Sequence, residues 1–253
     1  MKGKIGKVLA SYAGVAGVAL LAAAVGAVQA APAKHAPLKR KPAAAAPRPA
    51  TQDWLHAVRR TPQGTYVLGN PQARVKLIEY MSYTCPHCGA FATESSAVLK
   101  EQMVRSGSLS LELRPIVRDQ IDLGATLLAR CAGAAGFYTL TEAMLTTQEN
   151  WLGIAYNFLE KDAARFALEP PLEQVRAGVQ ASGLIDLAMA NGVSAQRIDA
   201  CFADKAELAQ MLEVANAARK VVTGTPSFVI SGTKVDVANW AALEPLIRAQ
   251  GAR

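Results

Sequence analysis

The chain is 253 residues long, 51% hydrophobic by residue type, with a formal net charge of +7. Eight of its 27 basic residues, from Lys2 to Arg48, fall in residues 1–50, which contain no acid; residues 51–253 therefore hold 19 basic against 20 acidic side chains. That near-neutral remainder has no dense basic run, which excludes nucleic acid as an expected partner, and its length suits one domain with a full core.

Lys2, Lys4 and Lys7 precede an apolar stretch, Val8–Val28, and Val28-Gln29-Ala30 places small residues where a signal peptidase cuts. Residues 1–30 are read as a cleaved signal peptide that exports the chain to the periplasm. The alternative is a retained anchor facing the same compartment, since the stretch is long enough to span a bilayer. Residues 31–50 are almost only Ala, Pro, Lys and Arg, a composition that cannot bury enough surface to fold, so they form a disordered linker. The folded domain is expected over residues 51–253.

Within it, Thr51-Gln52-Asp53 is expected to open a short helix carrying Trp54, Leu55 and Val58, which Thr61-Pro62-Gln63-Gly64 ends as a turn. Thr65–Leu68 reads as a strand, and Gly69-Asn70-Pro71 turns the chain into a second, Val75–Tyr83. From Pro86 onward Cys88, Phe91, Ala92, Leu99 and Met103 recur at helical spacing. After Gly107, Ser108–Val117 alternates like a strand, so strand, helix and strand make a βαβ unit with a parallel pair. Residues 119–222 show only helical patterns, including a capping box from Asp204 to Glu207. The sheet resumes at Ser227–Ile230. Ser231-Gly232-Thr233-Lys234 reads as a hairpin turn into Val235–Val237, and a last helix starts near Asn239 with Trp240, Leu243, Leu246 and Ile247 inward.

The chemistry-bearing stretch is Cys85-Pro86-His87-Cys88, between a strand and a helix. Such a pair can close a small disulfide ring or contribute to a metal site. At a helix N-terminus free N–H groups and the helix dipole favour a thiolate, so Cys85 is expected to be the exposed, attacking sulfur and Cys88, one turn in, the buried resolving one. Pro86 fits the first helical turn, and His87 can donate to the Cys85 sulfur or place positive charge beside it. A zinc-binding or scaffolding module is the remote alternative. Its ligand count is poor, because Cys131 and Cys201 are distant singles and His35, His56 and His87 are the only histidines.

On Cys85-Pro86-His87-Cys88, on Gly224-Thr225-Pro226-Ser227-Phe228 before a short strand, and on Glu79 six residues before Cys85, the chain resembles the DsbA family of exported thiol-disulfide oxidoreductases over about residues 61–250. The resemblance implies an α/β, thioredoxin-like fold, a central mixed sheet flanked by helices, with an all-helical subdomain inserted over about 119–222. It implies a monomer whose only redox group is the Cys85–Cys88 disulfide, with no metal or other cofactor. Its substrates would be unfolded or reduced exported proteins, and a membrane-bound thiol oxidase would reoxidise it. Thr225 and a cis Pro226 would position substrate, and Glu79, where the family often has a buried acid, would accept the proton of Cys88 through water, the alternative being that it points to solvent or caps a neighbour. Thr225 departs from the Val of the most studied oxidases and is more usual in isomerases and reductases, which keeps an isomerase or reductase of the same fold as the alternative. Residues 31–60 are too short and Pro-rich for the dimerisation domain such isomerases carry. Export makes a structural Cys131–Cys201 disulfide the expectation, two buried free thiols being the other possibility.

Overall fold

A computed structural model describes residues 52–253; the leader expected over residues 1–30 and the linker expected over 31–50 lie outside the described residues. Among the described residues six strands form one mixed sheet: β1 Val58–Arg60, β2 Tyr66–Gly69, β3 Val75–Met81, β4 Leu109–Pro115, β5 Ser227–Ile230 and β6 Thr233–Val235. Their spatial order is β1-β2-β4-β3-β5-β6. Only β3 and β4 pair in parallel, through the crossover helix α1, Pro86–Val98, which runs on into a π-helical segment at Leu99–Val104. All other neighbouring strands are antiparallel.

Between β4 and β5 the described chain is helical: α2 Gln120–Cys131, α3 Gly133–Thr146, α4 Gln148–Lys161, α5 Pro171–Ala181, α6 Leu184–Ala190, α7 Ala195–Ala203 and α8 Lys205–Arg219. α9, Trp240–Ala249, closes the fold. The insertion shares its core with the sheet. Leu77, Met81 and Phe91 belong to one buried cluster with Leu127, Leu128, Phe137, Leu140 and Met144. Tyr66 of β2 stacks on Phe137 of α3 at 4.1 Å, and the Tyr138 hydroxyl donates to the Tyr66 carbonyl at 2.9 Å. On the opposite sheet face Ala218 and Val222 cover Tyr80, Ile116 and Val229.

Period-two alternation explains the key strand. Val75, Leu77, Glu79 and Met81 share the core face of β3, while Lys76 is exposed on the other. Glu79 is therefore buried for the same geometric reason as Leu77.

Three local expectations change. The helix expected from Thr51 is absent over the described residues. The Asp53 carboxylate instead accepts the Leu55 N–H at 2.9 Å, a turn follows, and Val58–Arg60 pairs with β2; side-chain capture of a backbone donor competes with helix at such a position. The last hairpin is tighter than the four residues expected. Ser231 and Gly232 take φ of 48° and 92°, a two-residue turn that brings β6 in at Thr233 rather than Val235. The capping box is half formed: Asp204 accepts from the Ala206 and Glu207 N–H groups, but the Glu207 carboxylate turns to Arg60 and Arg130.

Candidate active site

β3 delivers Tyr83 and Thr84 into a buried turn, and Cys85 takes the N-cap position of α1 with extended backbone. Its carbonyl accepts the Cys88 and Gly89 N–H groups at 3.0 and 3.2 Å, while Pro86 fills the first helical position without forfeiting a donor. The turn is held from outside by α2. The Asp122 carboxylate, fully buried, accepts the Tyr83 and Arg118 N–H groups, both at 2.8 Å, and the Thr84 hydroxyl donates to Asp119 at 2.7 Å. Burial lifts Asp122 to about 6, against the pull of the Ser82 hydroxyl and those two N–H groups.

Cys85 and Cys88 are free thiols in this structure. Cys85 is not the exposed thiol expected from the helix terminus: it is only 4% exposed. The loop entering β5 covers it. There the Thr225–Pro226 peptide is cis, and the Thr225 carbonyl lies 3.3 Å from the Cys85 sulfur, accepting from it as a thiol.

The two sulfurs are tuned in opposite directions. Cys85 falls from 9.0 to about 5, chiefly because the Cys88 thiol donates to it. Burial opposes the fall, and Thr225 and the Cys88 and His87 N–H groups add to it. Cys88, wholly buried, is pushed well above 9.0 by desolvation, then by donating to Cys85 and by the negative charge of Glu79. His87 acts here through its backbone; its side chain is exposed, as is Pro86. Because the Cys85 value is depressed in the fold, its stabilisation of the dithiol form is complete above the ordinary thiol range and is lost as pH falls through about 5. The thiolate ultraviolet absorbance of the reduced protein should therefore titrate with a midpoint near 5; a midpoint in the ordinary range, about 8.5, would contradict this geometry.

Glu79 is 4% exposed, with one carboxylate oxygen lacking a hydrogen-bond partner. Burial raises it to about 8, Lys100 pulls it down, and Cys85 pushes it up. It lines a mostly apolar cavity of about 40 Å³, walled by Phe91, Leu99, Leu111 and Leu113, into which Ser95, Lys100 and Thr141 also face.

Cys131 and Cys201 stand apart from this site, joined in a disulfide between the end of α2 and α7 with Cα atoms 5.6 Å apart. Among the described residues no group of three or more His, Cys, Asp and Glu side chains could hold a metal ion. Asp119, Asp122 and Gln148, which fasten the Cys85 turn, were not singled out by the sequence; each is a polar residue at or near the start of a helix, where polar side chains are ordinary.

A family model described as thioredoxin matches residues 61–249. Among solved structures, a protein-disulfide isomerase from Novosphingobium aromaticivorans is 34% identical, with 73% of this chain and 95% of that one covered and a TM-score of 0.67. Wolbachia pipientis alpha-DsbA1 shares the fold at 18% identity and a TM-score of 0.58, with 78% and 95% covered. A chain from Rickettsia bellii (strain RML369-C), provisionally named a protein-disulfide oxidoreductase, is 23% identical over 67% of this chain and 58% of its own length. The chain thus spans a little over half the length of the curated relatives it matches.

Proposed function

The chain belongs to the thioredoxin family, among the DsbA-type protein-disulfide oxidoreductases, and from that premise we propose that it is an exported enzyme that passes a Cys85–Cys88 disulfide to reduced or unfolded polypeptides. The observation that supports this most is the opposite tuning of two sulfurs one helical turn apart. A substrate thiolate attacks the Cys85 sulfur of the disulfide. The Cys85–Cys88 bond breaks, a Cys85–substrate bond forms, and Cys88 leaves and takes up a proton, for which Glu79 is the nearby carrier. A second substrate thiolate then attacks the substrate sulfur of the mixed disulfide and expels Cys85 as a thiolate. Two electrons pass from substrate to enzyme, and a membrane-bound thiol oxidase removes them.

A low value at Cys85 makes it a good leaving group, and each unit of depression makes the disulfide more oxidising by about 30 mV. Thr225 and Pro226 position the incoming chain, the Thr225 carbonyl standing beside the reacting sulfur. Thr225 also favours a second reading, an isomerase of the same fold, the activity that the Novosphingobium protein's name carries. Export rests on the Lys2-to-Ala30 leader, which lies outside the described residues.

Equilibration of the Cys85–Cys88 pair with glutathione tests the direction. A potential near those of strong oxidants, about −120 mV, is expected; about −180 mV would favour the isomerase, and about −270 mV, the value of a reductant such as thioredoxin, would overturn the oxidase reading.

A further inference from the structure

The insertion reaches the redox pair at one side chain. Gln148, the first residue of α4, is 5% exposed, and its amide nitrogen donates to two carbonyls of the active-site turn, Tyr83 at 2.6 Å and Cys85 at 3.0 Å. One amide hydrogen serves each acceptor. The other end of the amide lies flat against the first turn of α1. A Cβ placed on Gly89 would stand 2.9 Å from the Gln148 oxygen and 3.2 Å from the Leu145 carbonyl, so glycine at 89 is what lets α3 and α4 approach this closely.

We propose that Gln148 is the positioning residue through which the helical insertion holds the Cys85 turn in its reactive shape. The inference rests on the redox reading only for naming Cys85 as the reacting atom. The Cys85 carbonyl is shared: it receives the Cys88 and Gly89 N–H groups that start α1 as well as the Gln148 amide. The Tyr83 carbonyl sits in a turn whose N–H is already fixed by Asp122. Gln148 therefore fastens the carbonyl side of the turn as Asp122 fastens its amide side. The amide thus supplies a hydrogen to the Tyr83 carbonyl and a third to the Cys85 carbonyl, beside those of Cys88 and Gly89. Without it, a buried carbonyl lacks its donor and the turn shifts to find another. The N–H groups at the helix start then no longer point at Cys85 with the same alignment, and a thiolate there is held less well. Asp119, Asp122, Glu79, Lys100 and His87 are the titratable groups around the turn and its sulfurs, and none of them is altered by a change at 148.

Two neutral variants of the full chain separate positioning from mere packing. Gln148→Met keeps the length and removes the donor; Gln148→Asn keeps the donor but shortens its reach. In folded protein of either variant, the thiolate absorbance midpoint of Cys85 should rise by about half a unit or more, a threefold or greater fall in its acid dissociation constant. The glutathione equilibrium should move by a similar factor toward a less oxidising disulfide. Thermal melting of the same samples establishes that they are folded. An unchanged midpoint in a folded variant overturns the proposal, and so does failure of both variants to fold, which would make Gln148 a packing residue only. If the wild-type protein exchanged no disulfides with reduced polypeptides while the midpoint still moved, the oxidoreductase reading would fall and this one would stand.

Discussion

A Cys88→Ser chain will accumulate as a mixed disulfide between Cys85 and its substrate, and catalytic turnover will fall by at least about 10²-fold. The assay runs the proposed transfer in reverse: when the Cys85 thiolate attacks a disulfide-bonded peptide, one sulfur–sulfur bond forms as another breaks, and one peptide thiolate departs. In the wild-type protein Cys88, one helical turn on, is expected to attack the Cys85 sulfur in this direction and release the second peptide sulfur. A serine hydroxyl is not deprotonated in that buried place and cannot do so. Wholly buried and pushed above its ordinary value, Cys88 is suited to this internal step and to no encounter with substrate. Non-reducing electrophoresis should show the adduct with Cys88→Ser, none with Cys85→Ala, and none once reductant is added. Rapid release from Cys88→Ser would mean that a different thiol resolves the intermediate.

The parts of this site written in local pattern were legible in the chain. The strand-to-helix change places Cys85 at a helix start, so its helix-terminus electrostatics follow from neighbours within a few residues; the burial of Glu79 came with the family resemblance, and the fold accounts for it by the alternation of Val75, Leu77 and Met81. What covers or fastens the site comes from far along the chain. Cys85 is met by the Thr225 carbonyl from 140 residues away, and the turn before it is tied by Asp122 and Gln148, 39 and 65 residues from Tyr83. A polar residue in a helix has the same sequence signature whether its side chain meets water or a distant carbonyl, so composition and period cannot separate the two. Likewise, the expected helix near Trp54 failed on a tertiary competition. Val58–Arg60 pairs with β2, and Trp54 lies over Gly107, where a Cβ would come within 2.6 Å of its ring.

That dependence on distant contacts makes the geometry of the insertion a condition of the chemistry, and the disulfide at its base a large part of its stability. Replacing both Cys131 and Cys201 with alanine should lower unfolding stability by about 4 kcal/mol, because the bond closes a separation of 70 residues and restricts the unfolded chain accordingly. For a domain of this size the melting temperature should drop by roughly 10 °C. Neighbouring bonds will retain some of the local order. Arg197 donates to the Cys131 carbonyl, and Arg130 joins Glu207 at 2.6 Å and the Gly64 carbonyl at 2.6 Å, tying α2 to α7, α8 and the first hairpin without the sulfur bridge. The loss should therefore appear in global unfolding while the folded variant still presents the Cys85 turn intact. Measured with the Cys85–Cys88 pair oxidised in both proteins, a melting temperature within about 2 °C of wild type would show that these bonds, and not the disulfide, hold the insertion together. An altered Cys85 titration midpoint in the folded variant would show that strain at the far end of α2 reaches the active-site turn through Asp122.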